Sequence, residues 1–267
     1  MRGHGHLLIN TPEIELWPGG LLRARSNHDA RALSRARHVL RRKRDGRFLA
    51  ADLPEGLLPL VHRLIHEDGI GHALDALDAI VEYRREGLLR IHELPLDRIE
   101  ERLSALGLDC DGYEARTGLG LIAEPDRLAY AGVDRFRRPL WLHPGAARAW
   151  SHLRQAAVHD GIVLDAISGY RSHHYQLGIF ERKLARGLGV DEILTVNAAP
   201  GYSEHHSGLA LDIGTPGEPP AEESFEHTPA FAWLRDNAGG YGYVMSYPRD
   251  NPHGIVYEPW HWRYDAK

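Results

Sequence analysis

From Pro144 onward the chain switches repeatedly between two apolar rhythms, and no stretch of either is long. Pro144-Gly145 opens a segment with Trp150, Leu153 and Ala157 at helical spacing, and Asp160-Gly161 closes it. Residues 162–167 then read as a strand ending at Ser168-Gly169. A second helix is expected over 174–186, stopped by Gly187, followed by a strand over 209–213. Pro229 starts a third helix through Asn237, ended by Gly239-Gly240, and 241–245 and 255–262 read as final strands. Proline at helix starts and glycine past their ends are the expected punctuation. Short helices followed by short strands in this order predict an α+β fold, with a small antiparallel sheet flanked by helices.

The first part of the chain reads differently. A strand is expected at 7–9, and 39–43 and 48–50 flank Asp45-Gly46 as in a hairpin. Beyond them, Leu57, Leu60, Val61, Leu64 and Ile65 share helical spacing. So do Leu74, Leu77, Ile80 and Val81, and then Leu96, Ile99, Leu103 and Leu106, with Gly107 as a stop. The expected organisation is a mainly helical N-terminal region over 1–115, a connector over 116–129 and a second domain over 130–267. No role is legible for the first region.

Composition narrows the partners. The 43% apolar and 26% charged shares suit a folded globular chain. The net charge of −5 argues against a globally basic nucleic-acid binder. Ten Lys/Arg lie between Arg23 and Arg47, and they read as a solvated face. No run approaches the ~18 apolar residues of a membrane span. The leading run Leu7-Leu8-Ile9 is too short for a secretory signal. Cys110 is the single cysteine, so no internal disulfide forms. These features set the expectation of a cytoplasmic protein, with export by another route left open. Oligomeric state is not readable.

Three segments concentrate the chemistry: 168–172 with Gln176 downstream, 203–212, and 258–261. Metal-assisted hydrolysis needs three protein donors, an open coordination position and a base beside the water. His205 and Asp212 lie on one segment, with Gly208 between them to let the backbone turn. His261 is the third candidate donor, and Glu258 stands three residues before it. On a strand those two side chains would face opposite sides, so a bend at Pro259 is demanded.

The pattern Ser203-x-His205-x-x-Gly208-x-Ala210-x-Asp212, then Glu258-x-Trp260-His261, resembles the VanY-like D-alanyl-D-alanine carboxypeptidases. These belong to the M15 metallopeptidases, in the lysostaphin/carboxypeptidase/hedgehog fold group. Ser168-Gly169-Tyr170-Arg171-Ser172 and Gln176 match the same family, whereas His173 stands where it usually has an aromatic residue. The resemblance runs from about Tyr130 to Tyr264. It implies Zn2+ held by His205, Asp212 and His261, with Glu258 as general base and acid. It further implies Arg171 on the substrate's terminal carboxylate, with Gln176 and Ser203 as secondary substrate contacts. The implied activity is removal of C-terminal D-alanine from peptidoglycan stem peptides, through a D,D- or L,D-bond, with cell-wall recycling as a setting. The alternative is a non-catalytic cell-wall peptide-binding module with a vestigial metal site. His206 is expected behind the site or facing solvent, and Trp260 and Trp262 in the core or the pocket wall.

Overall fold

The computed structural model describes residues 6–80 and 90–265 and divides the chain into two compact units. The first comprises residues 1–95 and 125–130, and the second comprises 96–124 and 131–267. The fold is α+β, as expected. Among the described residues no helix is long and apolar enough to cross a membrane.

The first unit is built on antiparallel strands β1 (Leu7–Asn10), β2 (Ile14–Pro18), β3 (His38–Arg42), β4 (Phe48–Leu53) and β5 (Gly56–Pro59). They lie in the order β5-β4-β3-β2-β1, and β6 (Arg127–Val133) returns to pair with β1. The expectation of a mainly helical region therefore fails over 6–60. Leu57 and Leu58 lie opposite Asp52 and Ala51 on β4, so cross-strand pairing overrides their helical spacing. The hairpin expected around Asp45-Gly46 is present, with Gly46 at φ 69° in the left-handed region that glycine tolerates.

Helices α1 (Asn27–Leu33) and α2 (Ile70–Asp78) complete the described part of this unit. On α2 the buried positions are Ala73 and Ala76, one residue before the expected Leu74 and Leu77. Val81 lies outside the described residues.

The second unit takes in residues placed above in the N-terminal region and in the connector. Helices α3 (Ile99–Ser104) and α4 (Cys110–Thr117) contribute Ile99, Leu103 and Tyr113 to a core with Phe180, Ile193 and Tyr202. Apolar contacts thus tie 96–124 to the C-terminal half. After β6, the backbone bond Asp134 N–H to Arg138 O closes a turn into β7 (Pro139–Leu142).

Helix α5 (Pro144–His159) buries Trp150, Leu153 and Ala157, the face expected from their spacing. Its core partners include Leu211, Ile213 and Trp262. Those residues belong to an antiparallel sheet of β8 (Asp165–Ser168), β9 (Ala210–Gly214), β10 (Tyr243–Met245) and β11 (His261–Tyr264), in the order β10-β11-β9-β8. Helices α6 (His173–Leu184), α7 (Val190–Leu194) and α8 (Pro229–Asn237) complete the unit.

Candidate metal centre and cleft

Two of the three candidate donors meet because of strand register. His261 opens β11 directly opposite Asp212 on β9, so both side chains rise from neighbouring positions of one sheet. His205 arrives from the 3₁₀ turn Glu204–Ser207, which Gly208 closes at φ 69° before β9 begins. One ligand atom from each of His205, Asp212 and His261 lies within 4.8 Å of the others, and all three residues are buried.

The bend demanded at Pro259 is present. Residues 255–259 do not form the expected strand. Glu258 N–H donates to Tyr247 O at 3.0 Å, and His261 N–H turns back to Glu258 O at 3.1 Å. One Glu258 carboxylate oxygen then stands 3.8 Å from His261 Nδ1.

Hydrogen bonds fix the imidazoles. His205 Nδ1 lies 2.7 Å from Gly169 O and must donate to it. Nε2 then accepts from Arg171 Nη2 at 2.5 Å, and a second acceptor, Asp212 Oδ1, stands 3.2 Å from it. Burial holds the His205 pKa down at about 4, and the nearby Arg171 guanidinium adds to this, so the ring is neutral.

His261 presents Nδ1 to Asp212 at 3.1 Å and Nε2 to Glu204 at 2.8 Å. Burial works to lower its pKa, but hydrogen bonds to the two carboxylates push it up to about 10. Asp212 is held well below the usual carboxylate range. Burial opposes this, and the charge of Arg171, 2.8 Å from Oδ2, together with the hydrogen bond from His261 outweighs it.

The donor set therefore fits a divalent cation. Two imidazoles and a carboxylate converge in a buried spot, and carboxylates at both nitrogens of His261 favour positive charge there. Glu258 behaves oppositely to Asp212. Burial pushes its pKa up to about 7, with His261 opposing and Asp212 adding to the rise. A carboxyl titrating near neutrality can both take and return a proton.

These groups line a cavity of about 250 Å3. Arg171, Gln176 and Ser203 line it too, so every site residue singled out from the sequence reaches one cleft. Gln176 donates through Nε2 to Ala198 O at 2.8 Å, and its buried Oε1 has no hydrogen-bond partner among the described residues. Trp260 forms part of the cleft wall, while Trp262 is core.

Spacing did not reveal several supports. Glu204 binds His261 Nε2 and also meets Arg263 at 3.1 Å. His206 is fully buried, donating from Nδ1 to Arg171 O at 2.7 Å and accepting the Gly201 N–H on Nε2 at 3.1 Å. Glu124, in the segment read as a connector, accepts the His173 N–H at 2.8 Å and the Tyr170 hydroxyl. Arg171 thus sits between two residues held by one carboxylate. A Glu next to a candidate ligand was a weak signal for Glu204; Glu124 carried none.

Comparison with known proteins places the chain among relatives by sequence. The family described as "VanY: D-alanyl-D-alanine carboxypeptidase" matches residues 139–267. YodJ of Bacillus subtilis (strain 168), named as a candidate carboxypeptidase, is 37% identical over 131 residues, covering 48% of this chain and 47% of YodJ. The bifunctional D-Ala-D-Ala dipeptidase and D-Ala-D-Ala carboxypeptidase VanXYC of Enterococcus gallinarum is 32% identical over 147 residues, covering 53% of this chain and 75% of that protein. Among solved structures, the LdcB LD-carboxypeptidase aligns with a TM-score of 0.44 and 37% identity, over 46% of this chain and 59% of that one. The chain spans about half the length of YodJ, the first of these relatives. On the family match and the likeness to VanXYC, the chain belongs to the VanY D-alanyl-D-alanine carboxypeptidase family.

Proposed function

We propose that the chain is a zinc-dependent carboxypeptidase that removes a C-terminal D-alanine from peptidoglycan stem peptides. The observation that carries this reading is the convergence of His205, Asp212 and His261 beside Glu258 in one cleft. Relatives named for D-alanyl-D-alanine hydrolysis supply the substrate class.

His205 Nε2, Asp212 and His261 Nδ1 would hold the ion. When bound, zinc supplies Lewis acidity to a water and to the scissile carbonyl. Glu258 takes the proton from the water and delivers it to the departing amine, a cycle suited to a carboxyl titrating near 7. Arg171 offers a planar guanidinium for the peptide's terminal carboxylate, and Tyr170 and His173 on either side fix its backbone. Ser203 and the open acceptor of Gln176 meet the peptide's polar groups.

Mass spectrometry of a defined tetrapeptide and pentapeptide mixture with the zinc-loaded chain tests the reading. Loss of one D-alanine from either peptide supports it, and the peptide cleaved tells an L,D- from a D,D-bond. Glu258→Ala should keep the metal and lose at least 10³-fold in kcat, an estimate at the order of magnitude of general-base removal. Undiminished turnover in that variant removes Glu258 from the mechanism. Stoichiometric zinc without hydrolysis of any stem peptide supports a binding module instead.

A further inference from the structure

Lys183 is a second cation on the cleft wall. It follows Gln176 by seven residues on α6, about 10 Å along the same face of the helix. Both residues line the cavity, and Phe180 between them is fully buried. That face of α6 therefore turns toward the cleft from Gln176 to Lys183.

At the Lys183 end, Nζ donates to Asn197 Oδ1 at 2.5 Å. Among the described residues no carboxylate forms an ion pair with it, in contrast to Arg171, whose guanidinium is already engaged by Asp212. Val196, Ile255 and Val256 line the same cavity. Burial lowers the pKa of the ammonium, and Glu258 and Arg171 act on it in opposite senses, which places it in the field of the reacting groups. Lys183 is half-buried and its direct hydrogen-bond partner is the neutral Asn197 amide, so an anion in the cleft gains a charge-assisted hydrogen bond there.

We propose that Lys183 and Asn197 form a carboxylate-recognition subsite, separate from Arg171, that holds an anionic group of the peptide. The inference rests on the reading of this cleft as a peptidase site. The carboxylate has two sources, the peptide's own C-terminus or an acidic side chain upstream of the cleaved bond.

Three probes separate them: acetyl-Glu-D-Ala-D-Ala, its Gln counterpart, and the Gln counterpart with a C-terminal amide. Their affinities for the full-length zinc-loaded chain carrying Glu258→Gln, with and without Lys183→Met, are measured by calorimetry. The subsite predicts a 10- to 100-fold loss on Lys183→Met, on the order of a charge-assisted hydrogen bond, for a probe bearing the recognised carboxylate. The amidated Gln probe should show no such loss. A loss already seen with the Gln acid assigns the terminal carboxylate, and a loss confined to the Glu probe assigns the side chain. Equal changes for all three probes, or no change for any, overturn the subsite. Because binding is read without turnover, a wild-type chain that hydrolyses nothing refutes the peptidase reading and leaves this result independent.

Discussion

Glu204 and His206 flank His205 in sequence, yet their side chains do different work. Glu204 holds the far nitrogen of His261, and His206 holds the carbonyl of Arg171. Outer partners of ligating imidazoles set ring orientation and basicity, and their loss typically lowers metal affinity 10- to 100-fold. Glu204→Gln should therefore weaken zinc by about that factor in competition with a chromophoric chelator. Unchanged affinity would sink the supporting role.

At this scale the site was half legible. His205 and Asp212 announce themselves because they stand seven positions apart on one chain segment, with a glycine between. Glu204 could not be assigned a partner, because His261 lies 57 residues on and only the pairing of β9 with β11 brings it near.

Among the elements, α5 shows how a local signal can succeed for reasons that spacing does not contain. Its apolar face was readable, but its start depends on His143. The neutral ring accepts the Gly145 N–H on Nδ1 at 3.2 Å. Burial lowers the His143 pKa, and Arg148 adds to this. A folded-state pKa below the unfolded one contributes stability that is complete above about 6.5 and is lost as pH falls. His143→Asn keeps a cap acceptor without the titration. Urea unfolding at pH 7.5 and 5 should show a smaller loss on acidification in that variant than in the wild type. Equal losses would mean that His143 does not titrate through the cap.

The misread helix at Leu57 carries the complementary lesson. Its spacing satisfied a helix, but a strand needs only a neighbour to pair with, and β4 supplied one. Neighbouring strands and turns likewise engage part of the basic run. Arg37 reaches Asp52, Arg41 reaches Glu15, and Arg42 meets both Asp45 and Glu67. Charges that looked like a solvated face are partly internal ties.

For the whole molecule, the sheet that carries the donors was foreseen, whereas the extent of the unit around it was not. Periodicity speaks only for a segment and its own turn. It says nothing of Tyr113, whose hydroxyl accepts the Ala199 N–H at 3.0 Å, or of Ile122, whose N–H reaches Gly201 O at 2.7 Å. Glu124→Leu would strip the acceptor from two groups in the interior of this unit. We expect it to cost about 2–4 kcal/mol in chemical denaturation, with Glu124→Gln costing less. A leucine variant as stable as the wild type would show that the carboxylate is dispensable.

The family match and the unit that folds around it have different boundaries in this chain. The family match begins at Pro139, but the acid that grips the loop around Arg171 sits fifteen residues upstream of it. A laboratory that cropped the gene to the recognisable half would discard that grip while keeping every donor. It would then mistake a slack loop for a dead catalyst.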